Sequence, residues 1–150
     1  MSIVGTDLSQ FRQMQDTLDG PWADVLDSLV PIIQGGERTL FLNETTPEGI
    51  PWEALSEITV ARKGFSKKLV DTGRLYESVT TANGTADTIW ETSEDPAYLV
   101  FGTSVPYGRF HMTGTKRMPA RPFMGLSSQT FDRLAEAVAE AATAKLVNGR

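Results

Sequence analysis

A narrow apolar stripe of Phe131, Leu134, Val138, Ala141, Ala142 and Leu146, repeating at helical spacing, runs through the end of the chain. Ser127 or Ser128 supplies an N-cap and Asn148-Gly149 a stop, so the stripe reads as one long helix. A helix that is apolar on a single face has to lay that face on another layer of structure. The rest of the sequence must provide it. Asp7 to Leu18 has a capping-box spacing and one apolar face, which predicts a short amphipathic helix. A second helix is expected from Pro21 or Trp22 along Val25, Leu26, Leu29, Val30 and Ile33, with a break where Pro31 and Gly35-Gly36 fall and a resumption from Glu37 to Phe41.

The middle of the chain is punctuated by proline and glycine. Asn43 to Trp52 reads as a loop fixed by Pro47, Gly49 and Pro51. Leu55 to Arg62 suggests a short helix, and the basic run from Arg62 to Lys68 a mobile connection. Asp71 and Thr72 are candidate N-caps for one or two helical turns. Val79–Thr81 and Thr88–Thr92 are rich in β-branched and aromatic residues, and Asn83-Gly84 between them predicts a hairpin over Ser78 to Thr92. Ala97 to Phe101 is expected to be a short helix ended by Gly102. Val105 to Met124 is either an irregular loop or a strand pair with a long excursion. The resulting expectation is an α+β fold: N-terminal helices, a small antiparallel sheet with a hairpin, and a long C-terminal helix. It is read as one domain over residues 1–150, with a helical region over residues 1–43, a loop and sheet region over residues 44–126 and the C-terminal helix over residues 127–147.

Composition narrows the chemistry. With no cysteine among 150 residues, disulfides, thiolate nucleophiles and cysteine-ligated zinc are excluded. No stretch is long and apolar enough for a membrane span, and the N-terminus lacks a basic region followed by an apolar run, so a soluble, unexported protein is expected. The net charge of -5 is unevenly spread. Met1 to Thr59 carries ten acidic and two basic residues, whereas Val105 to Gly125 carries Arg109, Lys116, Arg117 and Arg121 and no acid. Such a chain can pair with copies of itself head to tail, or it can simply wear a solvated surface with chance clustering.

Catalytic readings find little support. His111 is the only histidine and has no nucleophile signature beside it. Gly108 to Lys116 lacks the spacing of a phosphate loop. Glu91, Glu94 and Asp95 would suit a magnesium ion but read more simply as solvated turn residues. No catalytic, cofactor or metal site is therefore expected. Contact with DNA draws on Arg109, Lys116, Arg117 and Arg121 among Tyr107, Phe110 and Phe123, and the overall acidity argues against it as a main activity.

A series of words spread over Phe41 to Leu146 resembles the phage virion morphogenesis family, the tail-completion group typified by the G protein of Mu-like phages. They are Thr46-Pro47-Glu48-Gly49-Ile50-Pro51-Trp52-Glu53-Ala54-Leu55-Ser56, then Leu69-Val70-Asp71-Thr72-Gly73-Arg74-Leu75, then Phe110-His111-Met112-Thr113-Gly114-Thr115. The most specific is Met118-Pro119-Ala120-Arg121-Pro122-Phe123-Met124-Gly125-Leu126-Ser127. Ala97-Tyr98-Leu99-Val100-Phe101-Gly102-Thr103 is more similar to the related siphophage neck family. The resemblance implies a structural virion protein that completes the tail and joins it to the filled head. It implies a homo-oligomeric ring, expected as a hexamer, in the neck or head-proximal tail end of the virion. The implied partners are further copies and neighbouring neck, connector or tail tube proteins, with DNA only as the passing genome and no membrane. The runner-up is a DNA-contacting or DNA-processing phage protein. Interface candidates are Trp52, Tyr107, Arg109, Phe110, Lys116, Arg117 and Arg121, because loops stiffened by proline present aromatic and arginine anchors.

Overall fold

In the computed structural model, residues 22–94 and 97–148 are described. The helix expected over Asp7 to Leu18 lies outside them. The architecture is α+β. Helix α1 (Ala23–Asn43) is followed by the short α2 (Glu57–Lys63) and α3 (Arg74–Thr80), strands β1 (Thr88–Glu94) and β2 (Ala97–Thr103), the one-and-a-half-turn α4 (Gly108–Thr113) and the long α5 (Ser128–Asn148).

Helix α1 runs unbroken through Pro31 and Gly35-Gly36, which corrects the expected break. Pro31 stands on the exposed side, where water can take the carbonyl one turn back that its missing N–H leaves free. The opposite side buries Val30, Ile33, Gln34, Glu37, Leu40 and Phe41, and this tertiary packing overrides local propensity. Gly36 is there for closeness: a Cβ at that position would come within 2.5 Å of Thr130 Oγ1 on α5. Ser127 caps α5, accepting from the Thr130 N–H at 3.1 Å, as one of the two expected caps. The expected apolar stripe of α5 is seen in part: Leu134, Ala141, Ala142 and Leu146 are half-buried, whereas Phe131 and Val138 stand exposed and Thr130 is the one fully buried residue, because α5 packs principally on α1 and leaves a flank open.

The core is aromatic at its centre. Phe41 meets Trp52, Tyr76 and Phe123 with ring centroids 5.5, 5.3 and 5.8 Å away. Leu40, Leu75, Val79 and Val105 complete the buried cluster. Edge-on and tilted contacts of this kind add to the area burial of large side chains.

The hairpin differs from expectation in its partner. Val79 and Thr80 end α3, and β1 pairs antiparallel with β2, from Thr88 opposite Thr103 to Glu94 opposite Ala97. Ala97 to Phe101 is thus strand and not helix. Asn83 and Gly84 do take the positive φ expected of them (67° and 68°), but their turn joins α3 to β1. Burial decides the matter: Leu75, Ser78 and Val79 sit at helical spacing against the core, and β-branching alone cannot outweigh that. Gly73, not Asp71 or Thr72, occupies the N-cap position of α3. Gln34 and Arg38 reach across from α1 to donate to the carbonyls of Thr81 and Thr80, satisfying the C-terminal end of α3.

The basic run from Arg62 to Lys68 is tied down and not a free connection. Lys63 Nζ donates to the carbonyls of Lys67 and Val70, and Lys67 Nζ to those of Phe41 and Leu42. Lys68 binds the Glu44 carboxylate through both its N–H and its Nζ. Val105 to Met124, left open between a loop and a strand pair, contains α4, an isolated bridge between Thr115 and Met118, and an extended run into α5.

Two outcomes test this packing. Gly36→Ala should cost about 1–3 kcal/mol despite alanine's higher helix propensity, and distinctly less on a Thr130→Ala background, in a double-mutant cycle by urea denaturation. Glu37 is almost wholly buried, with Oε1 accepting from the Gly125 N–H at 3.2 Å and Oε2 unbonded among the described residues. Burial raises its pKa from the ordinary 4.5 to about 8, against a smaller opposing effect of the Gly125 N–H. The folded protein therefore keeps the proton that the unfolded chain releases. Stability present below pH 4.5 is lost progressively as the pH climbs to 8. Glu37→Gln keeps an acceptor for Gly125 and cannot ionise. It should match the parent at pH 4 and exceed it at pH 8 by roughly 3–5 kcal/mol in urea midpoint experiments.

Candidate functional site

A deep concavity follows from the loop that α1 ends on. Glu44 closes α1 in the left-handed region, the chain doubles back through a bridge between Thr45 and Pro51, and Trp52 is delivered to Phe41. Trp52 Nε1 donates to the Pro122 carbonyl at 2.9 Å. Arg121 then donates through Nε to Glu53 O at 2.8 Å and through Nη2 to Ala54 O at 2.9 Å, locking the loop to the segment before α5. Between this floor, α2, the start of α3 and the Thr115–Met118 turn opens a cleft of about 930 Å³.

The cleft wall mixes apolar and charged side chains. Arg62, Lys63, Arg74, Arg117 and Arg121 line it, against the carboxylates Glu53 and Asp71. Arg74 is neutralised at the rim by Asp87, which accepts from Nε and Nη2 at 2.6 and 2.7 Å. Lys63 and Arg121 bind carbonyls and so keep their charge inside the wall. Burial lowers the pKa of both cations, with nearby carboxylates opposing. Arg62 and Arg117 form no ion pair among the described residues.

The seven interface candidates divide. Trp52 is buried, which corrects its expected exposure, while Arg121 is held by carbonyls and Phe123 is core, as the two prolines flanking Ala120-Arg121 on the approach to the terminal helix lead one to expect. Tyr107 and Arg117 are exposed and line the cleft, together with the buried Arg121. Arg109, Phe110 and Lys116 are exposed but lie outside the lining, with the Arg109 guanidinium 4.6 Å over the Phe110 ring. Helix α4 separates them. It turns Arg109 and Phe110 outward while His111 faces the cleft, edge-on to Tyr107 at 6.1 Å. Arg62 and Lys63 were missed as cleft residues, although a basic run of that density was itself the available signal.

His111 is half buried, and its Nδ1 is buried without a hydrogen-bond partner. Burial first, and Arg121 second, hold its pKa below the ordinary imidazole value. No carboxylate orients the ring at Nδ1, the group a histidine base normally requires. Among the described residues no three potential ligands gather as they would around a metal ion.

The small α+β fold thus carries an apolar and cationic cleft beside exposed helical and strand faces. Comparison makes the class specific. The chain belongs to the phage virion morphogenesis family, whose model matches residues 23–142. It is 29% identical over 117 residues to Mu-like prophage FluMu G protein 1 of Haemophilus influenzae, covering 78% of this chain and 75% of that protein. No solved structure matches it.

Arg121 carries a measurable consequence. Arg121→Met strands the carbonyls of Glu53 and Ala54 and should lower stability by about 2–4 kcal/mol. The same change removes the positive neighbour that depresses His111, so the imidazole pKa should rise, read by NMR titration of the ring protons.

Proposed function

We propose that this protein acts in tail completion and head-to-tail joining of a tailed bacteriophage, as a non-catalytic subunit of a ring in the virion neck. Family membership supports a structural role in phage assembly. The observation that carries the finer reading is the set of large apolar side chains left uncovered on two separate elements: Ile89, Trp90, Tyr98 and Val100 on the hairpin, Phe131 and Val138 on α5. Faces of this kind mark surfaces that another protein covers. Two unlike faces on one small chain suit heterologous contacts, which close into rings, here expected as a hexamer. Further faces would meet the connector on one side and the tail tube on the other. On this reading the ring assembles in the host cytoplasm and lets the genome pass through.

Opposite charges would steer the subunits together. The acidic side is thinner than the sequence suggests, because Glu37 is buried and Glu44 is held by Lys67 and Lys68. On the basic side Arg121 is engaged internally, which leaves Arg109, Lys116 and Arg117 to face outward. The unpaired Arg62 and Arg117 give a DNA-contacting reading its one specific support, and retardation of DNA at physiological salt would favour it.

Complementation tests the assignment. In a phage lacking this gene, His111→Gln should restore tailed infectious particles to near the parental level. Reversal of Arg109, Lys116 and Arg117 to glutamate should lower the yield of joined particles at least about tenfold, with free heads and tails accumulating. Loss of infectivity by His111→Gln in particles that are fully joined would overturn the non-catalytic role.

A further inference from the structure

Among the described residues the cleft has no occupant from its own chain and the hairpin no cover. Register places Ile89, Glu91 and Ser93 of β1 on one face with Tyr98, Val100 and Gly102 of β2. The opposite face is engaged near its base: Phe101 packs against the core, Thr88 Oγ1 donates to Ser78 O, and Thr103 shares a hydrogen bond with Ser78 Oγ. Among the described residues nothing covers the outward face, and Ile89, Tyr98 and Val100 are each 40–46% exposed. A ribbon of two strands is marginal by itself, and an apolar outer face makes it more so.

We propose that the outward face of this hairpin docks into the cleft of the next copy, where Tyr98 enters among Tyr107, Met118 and Pro119 and Glu91 pairs with Arg117. The proposal rests on the ring reading and names its contact. Charge selects the occupant. Beyond Asp87, which is held by Arg74, the hairpin sequence up to Thr103 has Glu91, Glu94 and Asp95 and no basic residue. The cleft has five cations against two carboxylates, and stays positive after Arg74 is neutralised by Asp87. Glu91 is also prepared for an arginine, since the Tyr98 hydroxyl donates to its Oε1 at 2.7 Å and leaves Oε2 open. No described hairpin residue lines the cleft of its own chain, so hairpin and cleft are distinct surfaces of one subunit. A contact between them is heterologous and passes the same geometry to each copy in turn, as a closed ring requires.

The test uses purified full-length protein and native mass spectrometry, with thermal melts to confirm that the exposed substitutions leave folding intact. Glu91→Arg alone and Arg117→Glu alone should each weaken assembly at least about tenfold. An equimolar mixture of the two should restore it, because every hairpin then meets a cleft of opposite charge. The chain has no cysteine of its own, so Glu91→Cys and Arg117→Cys give an unambiguous second readout. Mixed and oxidised, they should yield the crossed disulfide in excess over either homodimer. If the parent assembles but the reversals change nothing and no crossed disulfide forms, the hairpin contact is wrong and the ring reading stands. A parent that stays monomeric at every concentration overturns both. Assembly that survives Arg117→Glu while DNA retardation is lost would assign the cleft to nucleic acid instead.

Discussion

Phe41 is the point on which the rest of the structure depends. It ends the buried face of α1, and three segments distant in sequence converge on its ring through Trp52, Tyr76 and Phe123. Two of them bring a polar constraint. Trp52 arrives bonded to the Pro122 carbonyl, and Phe123 follows the arginine that holds Glu53 and Ala54. The carbonyls of Phe41 and Leu42 at the C-terminal end of α1 are taken by Lys67, two residues before Leu69 in the cleft wall. The aromatic cluster and the cleft are thus two sides of one arrangement. A cavity at Phe41 would loosen the loop, the cleft wall and the approach to α5 together.

Legibility in the sequence tracked how local the deciding forces were. The long C-terminal helix, its Ser127 cap and the positive backbone angles at Asn83-Gly84 depend on near neighbours, and each was readable from spacing and turn chemistry. The α+β class followed. What could not be read was set across distance. Val79–Thr81 looks like strand until Leu75 and Val79 are seen packed with Phe41, and Ala97–Phe101 looks like helix until Thr88–Glu94 is beside it. Gly36 reads as a weakness in a helix unless Thr130 is known to cross there.

The candidate site was legible by residue type and not by direction. Arg121 and Trp52 have the composition of interface anchors, yet their polar atoms are taken up by backbone carbonyls of their own chain. Lysines of the 62–68 run likewise serve as internal ties, because a long side chain can cover apolar surface and still deliver its ammonium to a carbonyl. Counting charges along the sequence therefore overstates what is available to a partner. Arg109, Lys116 and Arg117 remain on the outside because the short helix α4 and the turn at Thr115–Met118 point them away from the core.

Glu37 shows how the helical layer differs from a hydrophobic interface of the same size. It lies on the buried face of α1, holds the Gly125 N–H at the entry to α5, and sits one residue from the close crossing at Gly36 and Thr130. A buried carboxyl with one unbonded oxygen opposes folding once the medium favours its ionisation. What it contributes is an acceptor for a backbone N–H that the turn into α5 would otherwise leave unpaired at a buried site. Because α5 has only one buried residue to set against α1, that turn has to be held by polar contacts. The helix is consequently anchored at its start, at Ser127, Thr130 and Gly125, while its Phe131 and Val138 flank stays exposed.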